Sequence, residues 1–256
     1  MKRTAQVLTV FVLLACLVCV ASAQQTDELL WGNVLSYCIA DVDMDGKEEM
    51  LTIETTDRHQ VIESGERYGN YLRIYKDFVH DFKTGKEDTW GKSKDPRGEV
   101  SYEFDLSYLK PLTVQTGDVN GDGKKEISVV VYKETEFHPV PAKRPFFYAL
   151  TDEKLEKIWL GSRLSRPFTD FVLCDLDKDE VEEIVSMEKT KDGDTVIALY
   201  SWEGFGFDLV CETESFSHDA RFTGNRHYEQ KDVFIESGGQ YFTVVKEGDR
   251  LVLQKK

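Results

Sequence analysis

The chain has 256 residues, a formal net charge of −15, and a composition of 41% hydrophobic and 12% aromatic residues. This apolar and aromatic content is enough to build a core, which excludes a disordered acidic chain. The strong negative charge argues against nucleic acid or anionic lipid as a partner, because both would repel an acidic surface.

The chain begins with the features of a secretory signal peptide. Lys2 and Arg3 provide a positive start, residues 7–20 are almost wholly apolar, and residues 21–23 (Ala-Ser-Ala) form a small-residue cleavage site. Such a segment is too short for a stable membrane anchor. We therefore expect residues 1–23 to be removed and the mature chain to have no transmembrane segment. The protein would be secreted, periplasmic or on the cell surface, with lipid anchoring through Cys16 as the alternative.

Removal of the leader leaves three cysteines, Cys38, Cys174 and Cys211. An odd number in a secreted chain of this length does not indicate a disulfide framework. We expect these residues to be small buried side chains, and a bridge between Cys174 and Cys211 is the alternative.

Three segments of the chain superimpose on one another without gaps. They begin at Asp41, Asp118 and Asp175, and each has oxygen-bearing side chains at positions 1, 3, 5 and 9, followed by an apolar run. The flanking residues predict one strand before and one strand after each acidic loop. The predicted entering strands are residues 34–40, 112–116 and 171–174, and the leaving strands are residues 50–53, 127–132 and 184–187.

A second hairpin is predicted after the acidic loop, which gives four strands in about 45 residues, the period of a propeller blade. A fourth unit, within residues 220–254, lacks the alternating acids. We predict an all-β fold for residues 24–256, a small β-propeller of four to five four-stranded blades with calcium-binding hairpin loops. The polar segment from Lys83 to Lys110 is predicted to be either an insertion or a degenerate fifth blade.

The acidic loops have the chemistry of calcium sites. Carboxylates crowded into nine residues repel one another unless a cation lies between them. Numerous hard oxygen ligands suit Ca²⁺ better than Mg²⁺, and position 7 can add a backbone carbonyl. Gly46 and Gly123 permit the sharp turn at position 6, whereas Glu180 makes the third loop less favourable. We expect two to three structural Ca²⁺ ions, and solvated acidic turns without metal are the alternative.

An EF-hand is excluded because position 12 carries no glutamate and the flanks are β-rich. The loops instead resemble the FG-GAP/VCBS class of repeats, which occur in β-propellers. That resemblance implies a ligand set at the acidic positions, to which the position-7 residues would add their carbonyl groups. The predicted metal residues are Asp41, Asp43, Asp45, Lys47 and Glu49, then Asp118, Asn120, Asp122, Lys124 and Glu126, and finally Asp175, Asp177, Asp179, Val181 and Glu183.

Sequence motifs for catalysis are missing. The five histidines share no ligand spacing, and there is no nucleophile elbow, phosphate-binding glycine loop or Cys-x-x-Cys pair. Two segments are candidate partner surfaces: the connector with Trp159, Arg163 and Arg166, and a proline-punctuated loop at residues 137–146. Both could equally be connectors that pack between sheets.

We therefore expect a binding module for an extracellular glycan or protein rather than an enzyme. The resemblance itself is unspecific for activity, because FG-GAP/VCBS-type propellers serve as adhesion, carbohydrate-binding and enzyme-associated modules. The alternatives are a secreted hydrolase or lyase acting on polysaccharide at the propeller mouth, and a purely structural envelope protein.

Overall fold

The computed structural model describes residues 31–80 and 95–256. The predicted signal peptide and residues 83–94 of the polar segment lie outside these ranges. Within them the chain forms strands and one short 3₁₀ helix. The first two blades contain β1 (Val34–Ala40), β2 (Glu49–Glu54), β3 (Tyr71–Tyr75) and β4 (Tyr102–Asp105), then β5 (Pro111–Gly117), β6 (Glu126–Thr135), β7 (His138–Thr151) and β8 (Lys154–Leu160). The last two contain β9 (Phe168–Cys174), β10 (Glu183–Lys189), β11 (Thr195–Trp202) and β12 (Phe207–Glu212), then β13 (Ala220–Thr223), β14 (Val233–Ser237), β15 (Gln240–Glu247) and β16 (Arg250–Lys255). The 3₁₀ helix, Ser107–Leu109, joins the first two blades.

Each blade is an antiparallel sheet whose four strands follow one another in chain order. The first strands contact each other in sequence, β1 with β5, β5 with β9 and β9 with β13, and therefore lie innermost. The predicted all-β propeller is confirmed, and it has four blades. The three acidic loops connect the first and second strands of the first three blades.

The burial of each strand follows from its place in the blade. All six residues of β2 are buried, because a second strand has neighbours on both sides and sheets above and below. Strands β8 and β12 are largely exposed because they form outer edges. Three apolar clusters fill the spaces between successive blades, and they are centred on Leu51 and Val129, on Phe147 and Phe171, and on Val185 and Ile235.

The fourth blade contacts the first through the loop that joins β13 to β14. The amide of Ile39 in β1 donates to the carbonyl of His227 at 2.8 Å. The His227 ring stacks on Tyr37, with centroids 3.7 Å apart and planes 7° from parallel, and its Nδ1 lies 3.0 Å from the Tyr37 carbonyl oxygen. Burial lowers the pKa of His227, so the neutral ring donates through Nδ1. These contacts close the ring of blades.

The described part of the segment Lys83–Lys110 completes the first blade. Strand β4 pairs with β3 from Tyr71 opposite Asp105 to Ile74 opposite Tyr102. This strand therefore supplies the outer edge of blade one rather than a fifth blade.

The predicted loop at residues 137–146 is wrong, because these residues form most of β7. Arg144, which is only 1% exposed, holds this strand in place. Its guanidinium donates to the carbonyl oxygens of Lys133 (3.1 Å), Val140 (2.6 Å) and Ser162. A buried cation is stable only when its donors are satisfied, and here the carbonyl groups satisfy them. Cys38, Cys174 and Cys211 are free and buried.

Candidate metal loops

The three acidic loops share one backbone conformation. In each, positions 4 and 6 lie in the left-handed region. The φ angles are 62° at Met44 and 84° at Gly46, 73° at Gly121 and 82° at Gly123, and 67° at Lys178 and 74° at Glu180. The third loop thus makes the same turn as the others although it has no glycine at either position.

The loops also share a hydrogen-bond pattern. The position-2 amide donates to the position-9 carboxylate: Val42 to Glu49 at 3.0 Å, Val119 to Glu126 at 3.1 Å, and Leu176 to Glu183 at 2.9 Å. The position-6 amide donates to the position-1 carboxylate at 2.7–3.1 Å in all three loops. The position-7 amides of Lys47, Lys124 and Val181 donate to the position-5 carboxylates at 2.9–3.0 Å. The backbone therefore orients these carboxylates toward the interior of each turn.

The first loop contains a buried carboxylate oxygen with no partner. Glu49 is only 1% exposed, and among the described residues its Oε1 and the Oδ1 of Asp41 are buried without a hydrogen bond. Carboxylate oxygens of Asp41, Asp43 and Glu49 all lie within 4.8 Å of one another. Burial and the nearby Asp43, Asp45 and Asp41 charges raise the pKa of Glu49. Such an arrangement is costly unless a cation or proton neutralises it.

The third loop brings together all four of its predicted side-chain ligands. Oxygens of Asp175, Asp177, Asp179 and Glu183 lie within 4.8 Å of one another. Burial, together with the neighbouring aspartates, raises the pKa of Glu183 to about 7. Glu180, which the sequence predicts to make this turn less favourable, adopts the same left-handed conformation as Gly46 and Gly123.

The conformation of Glu180 nevertheless has an energetic cost, because a residue with a Cβ atom in the left-handed region is strained by about 1–2 kcal/mol. We expect Glu180→Gly to raise the free energy of unfolding by about 0.5–1 kcal/mol, after the extra flexibility of glycine in the unfolded chain is subtracted. Urea denaturation measures this. Glu48→Gly is the control, because Glu48 is an exposed loop residue outside the left-handed region and its replacement should destabilise. A loss of stability in Glu180→Gly would contradict the inference that the backbone of Glu180 is strained.

The second loop differs at position 3. The side-chain amide nitrogen of Asn120 donates to Glu126 Oε1 at 2.7 Å, and its oxygen accepts from the Asp122 amide at 2.9 Å. Burial and the Asp122 and Asp118 charges raise the pKa of Glu126 to about 7. This loop therefore satisfies its buried glutamate with a neutral donor.

The predicted partner-binding residues do not all lie in a connector: Trp159 belongs to β8, and Arg163 and Arg166 lie between β8 and β9. The Trp159 ring packs against Phe147 and Phe207, with centroids 6.1 and 5.1 Å away. Arg166 donates to Glu212 at 2.7 Å and pairs with buried Glu188 at 3.4 Å. Trp159 and Arg166 therefore make contacts within the propeller, whereas Arg163 is exposed.

Sequence analysis missed two buried glutamates that lie five residues after position 9 in the first and third repeats, Glu54 and Glu188. Each accepts from a hydroxyl two residues earlier and from a third-strand tyrosine. The donors are Thr52 and Tyr75 for Glu54, and Ser186 and Tyr200 for Glu188. In the second repeat this position is Val131. The sequence feature that could have revealed them is a glutamate that recurs at the same position inside an apolar strand.

A cavity of about 350 Å³ opens beside the third loop. It lies between the second loop, the third loop and the hairpin that joins β11 to β12. Its lining combines carboxylates with one large aromatic ring and a hydroxyl, namely Asp177, Asp179, Glu182, Glu203, Trp202 and Ser201.

No protein-family model and no curated protein matches the chain. Among residues 31–80 and 95–256, no helix is long and apolar enough to cross a membrane.

Proposed function

We propose that this protein is a secreted, calcium-stabilised β-propeller that acts as a binding module. The observation that supports the calcium sites most strongly is the buried Glu49 carboxylate. Its Oε1 has no partner among the described residues, and a carboxylate oxygen of Glu49 lies within 4.8 Å of oxygens of Asp41 and Asp43. A cation bound there would satisfy the unpaired oxygens and relieve the repulsion between the acids.

The residues present fit Ca²⁺. The donors are carboxylate, amide and carbonyl oxygens, which are hard ligands, and no thiolate or imidazole takes part in the loops. In this proposal the side chains at positions 1, 3, 5 and 9 hold the ion and the position-7 carbonyl adds a further ligand. The shared hydrogen-bond pattern and the resemblance to FG-GAP/VCBS loops support the same assignment in all three repeats.

We propose an extracellular glycan as the partner, bound in the cavity beside the third loop. Ligand sites combine an aromatic surface with a few polar groups, and Trp202, Ser201 and Glu203 provide this combination. Carboxylate and hydroxyl oxygens accept hydrogen bonds from sugar hydroxyl groups.

Binding is favoured over hydrolysis by the distribution of perturbed carboxyl groups. A hydrolase needs acids with shifted pKa values at a site of their own. Among the described residues, the glutamates with a raised pKa are Glu49, Glu126, Glu182 and Glu183. Three of them are position-9 residues of the metal loops, and Glu182, which also lines the cavity, accepts from the Asp118 amide at 2.7 Å and pairs with Lys125 at 3.4 Å.

The proposed partner site is tested by a glycan array probed with the mature protein in calcium and again in chelator. We expect binding that is lost in Trp202→Ala, because the ring forms the apolar part of the cavity. Phe205→Ala is the matched control, since Phe205 is 85% exposed on the same hairpin but does not line the cavity. Equal binding by both variants, or no glycan bound by the wild type, would contradict the glycan assignment.

A further inference from the structure

A lysine contacts the acidic ligands of the first loop. Lys76, which directly follows β3, places its Nζ against Asp43 Oδ2 and 3.7 Å from Asp45 Oδ2. The ammonium is thus held at the position-3 carboxylate.

A second lysine makes the same contact in the third loop from a different blade. Lys246 belongs to β15 of the fourth blade, and its Nζ lies 2.5 Å from Asp177 Oδ2. Asp177, like Asp43, is at position 3 of its loop. Two unrelated points in the chain therefore bring an ammonium group to the same position of two loops.

The second loop has no need of such a lysine. Its position 3 is the neutral Asn120, and the nearby Lys125 pairs with Glu182 at 3.4 Å and Glu229 at 3.0 Å instead of a loop ligand. In the first and third loops, four carboxylates face one ammonium. In the second, the three carboxylates have none among the residues that the structure describes. The net charge of the three ligand sets is therefore the same, although it is reached in two ways.

We propose that Lys76 and Lys246 are tethered cations that neutralise the position-3 aspartates when calcium is absent and compete with calcium when it is present. This inference rests on the proposed calcium sites. The ammonium is a compact charge on a flexible stem, so a divalent ion can displace it at an energetic cost. The lysines would thus weaken calcium binding and make the empty loops less self-repelling. Because Lys246 comes from the fourth blade, ion binding in the third loop would also release a contact between blades.

The test compares two double variants that remove equal charge. Lys76→Met with Lys246→Met removes the tethered cations. Lys154→Met with Lys178→Met is the control, because these exposed lysines are not proposed ligands and pair with no loop carboxylate among the described residues. Calorimetric titration with Ca²⁺ measures the site-averaged Kd. We expect the first double variant to bind about three- to tenfold more tightly than wild type, and the control to change by about twofold or less.

A melting curve in chelator gives a second readout that does not depend on calcium binding. The variant without tethers should melt below the control in chelator, because its aspartates lose their neutralising partners, and the difference should shrink or reverse in saturating Ca²⁺. Equal Kd values for the two double variants, with wild-type binding intact, would overturn the lysine inference alone. If neither wild type nor any variant bound Ca²⁺, the proposed calcium sites would be wrong, and the proposed competition between the lysines and calcium would be wrong as well.

Discussion

Chelation of calcium is expected to lower the melting temperature of the protein, and added Ca²⁺ is expected to restore it. Extracellular sites bind with Kd values of about 10⁻⁴–10⁻³ M, close to the calcium concentration outside cells. Each occupied site then adds roughly 0.4–1.4 kcal/mol to the free energy of unfolding, and three sites add about 1–4 kcal/mol. For a domain of this size, each 1 kcal/mol shifts the melting temperature by roughly 2–4 °C. Differential scanning calorimetry in calcium, in chelator and after calcium is restored measures the effect.

Glu49→Gln separates metal binding from other effects of the chelator. The substitution removes the charge of a buried carboxylate whose Oε1 has no partner among the described residues. In chelator the variant should be at least as stable as wild type, because no charge remains buried without compensation. In calcium it should be less stable, because the first loop has lost a ligand. Mg²⁺ in place of Ca²⁺ should restore little of the melting temperature that is lost in chelator. A wild-type melting curve unchanged by excess chelator would contradict stabilising calcium in these loops.

Loss of the buried Glu54 carboxylate is expected to destabilise the first blade strongly. Glu54 accepts hydrogen bonds from Tyr75 at 2.5 Å and from Arg73 and Arg97 at 2.6 Å each. The carboxylate is 1% exposed, and the two arginine side chains are 23% and 12% exposed. Glu54→Gln removes the buried counter-charge shared by Arg73 and Arg97 and leaves them only their partly exposed partners, Glu103 and Asp95, which costs about 2–3 kcal/mol. Urea denaturation at neutral pH measures this loss.

Glu103→Gln is the matched control for Glu54→Gln. Glu103 also pairs with Arg73, at 2.7 Å, but its side chain is 48% exposed. An exposed ion pair contributes about 0–1 kcal/mol, so the control should remain close to wild type. Similar losses in the two variants would show that burial of Glu54 does not determine its contribution.

The contribution of Glu54 should also depend on pH in a defined direction. Burial alone would raise the pKa of this carboxyl group, but the Tyr75 hydrogen bond and the Arg97 charge outweigh it and lower the pKa. Because the pKa of Glu54 is lower in the folded state than in the unfolded state, the ionised carboxylate stabilises the fold. This contribution is complete above the unfolded-state pKa of about 4.3 and is lost as the pH falls through the folded-state pKa. The stability difference between wild type and Glu54→Gln should therefore narrow as the pH falls below about 4. A constant difference down to the acid transition would contradict this linkage.

The strands and loops were predictable because their signals are local. The acidic positions, the glycines at 46 and 123, and the apolar runs after Glu49, Glu126 and Glu183 together indicate a hairpin with an acidic tip, since each feature acts within about a dozen residues. The prediction of a loop at residues 137–146 was wrong because the local signal misled. Three prolines suggested a loop, but pairing with β6 and the hydrogen bonds from Arg144 to the carbonyl groups of Lys133, Val140 and Ser162 hold these residues in β7.

The sequence by itself determined the repeat, the order of strands within a blade, and the residues that face one another across each acidic loop. Its strong acidity is explained in part by these loops. Only the tertiary structure decided that there are four blades, that His227 joins the last to the first, and that Trp159 packs between blades. It also decided which lysines meet the loops, because Lys246 lies 69 residues from Asp177 along the chain. Contacts over such separations depend on how the sheets pack, and no periodicity within a single segment encodes that arrangement.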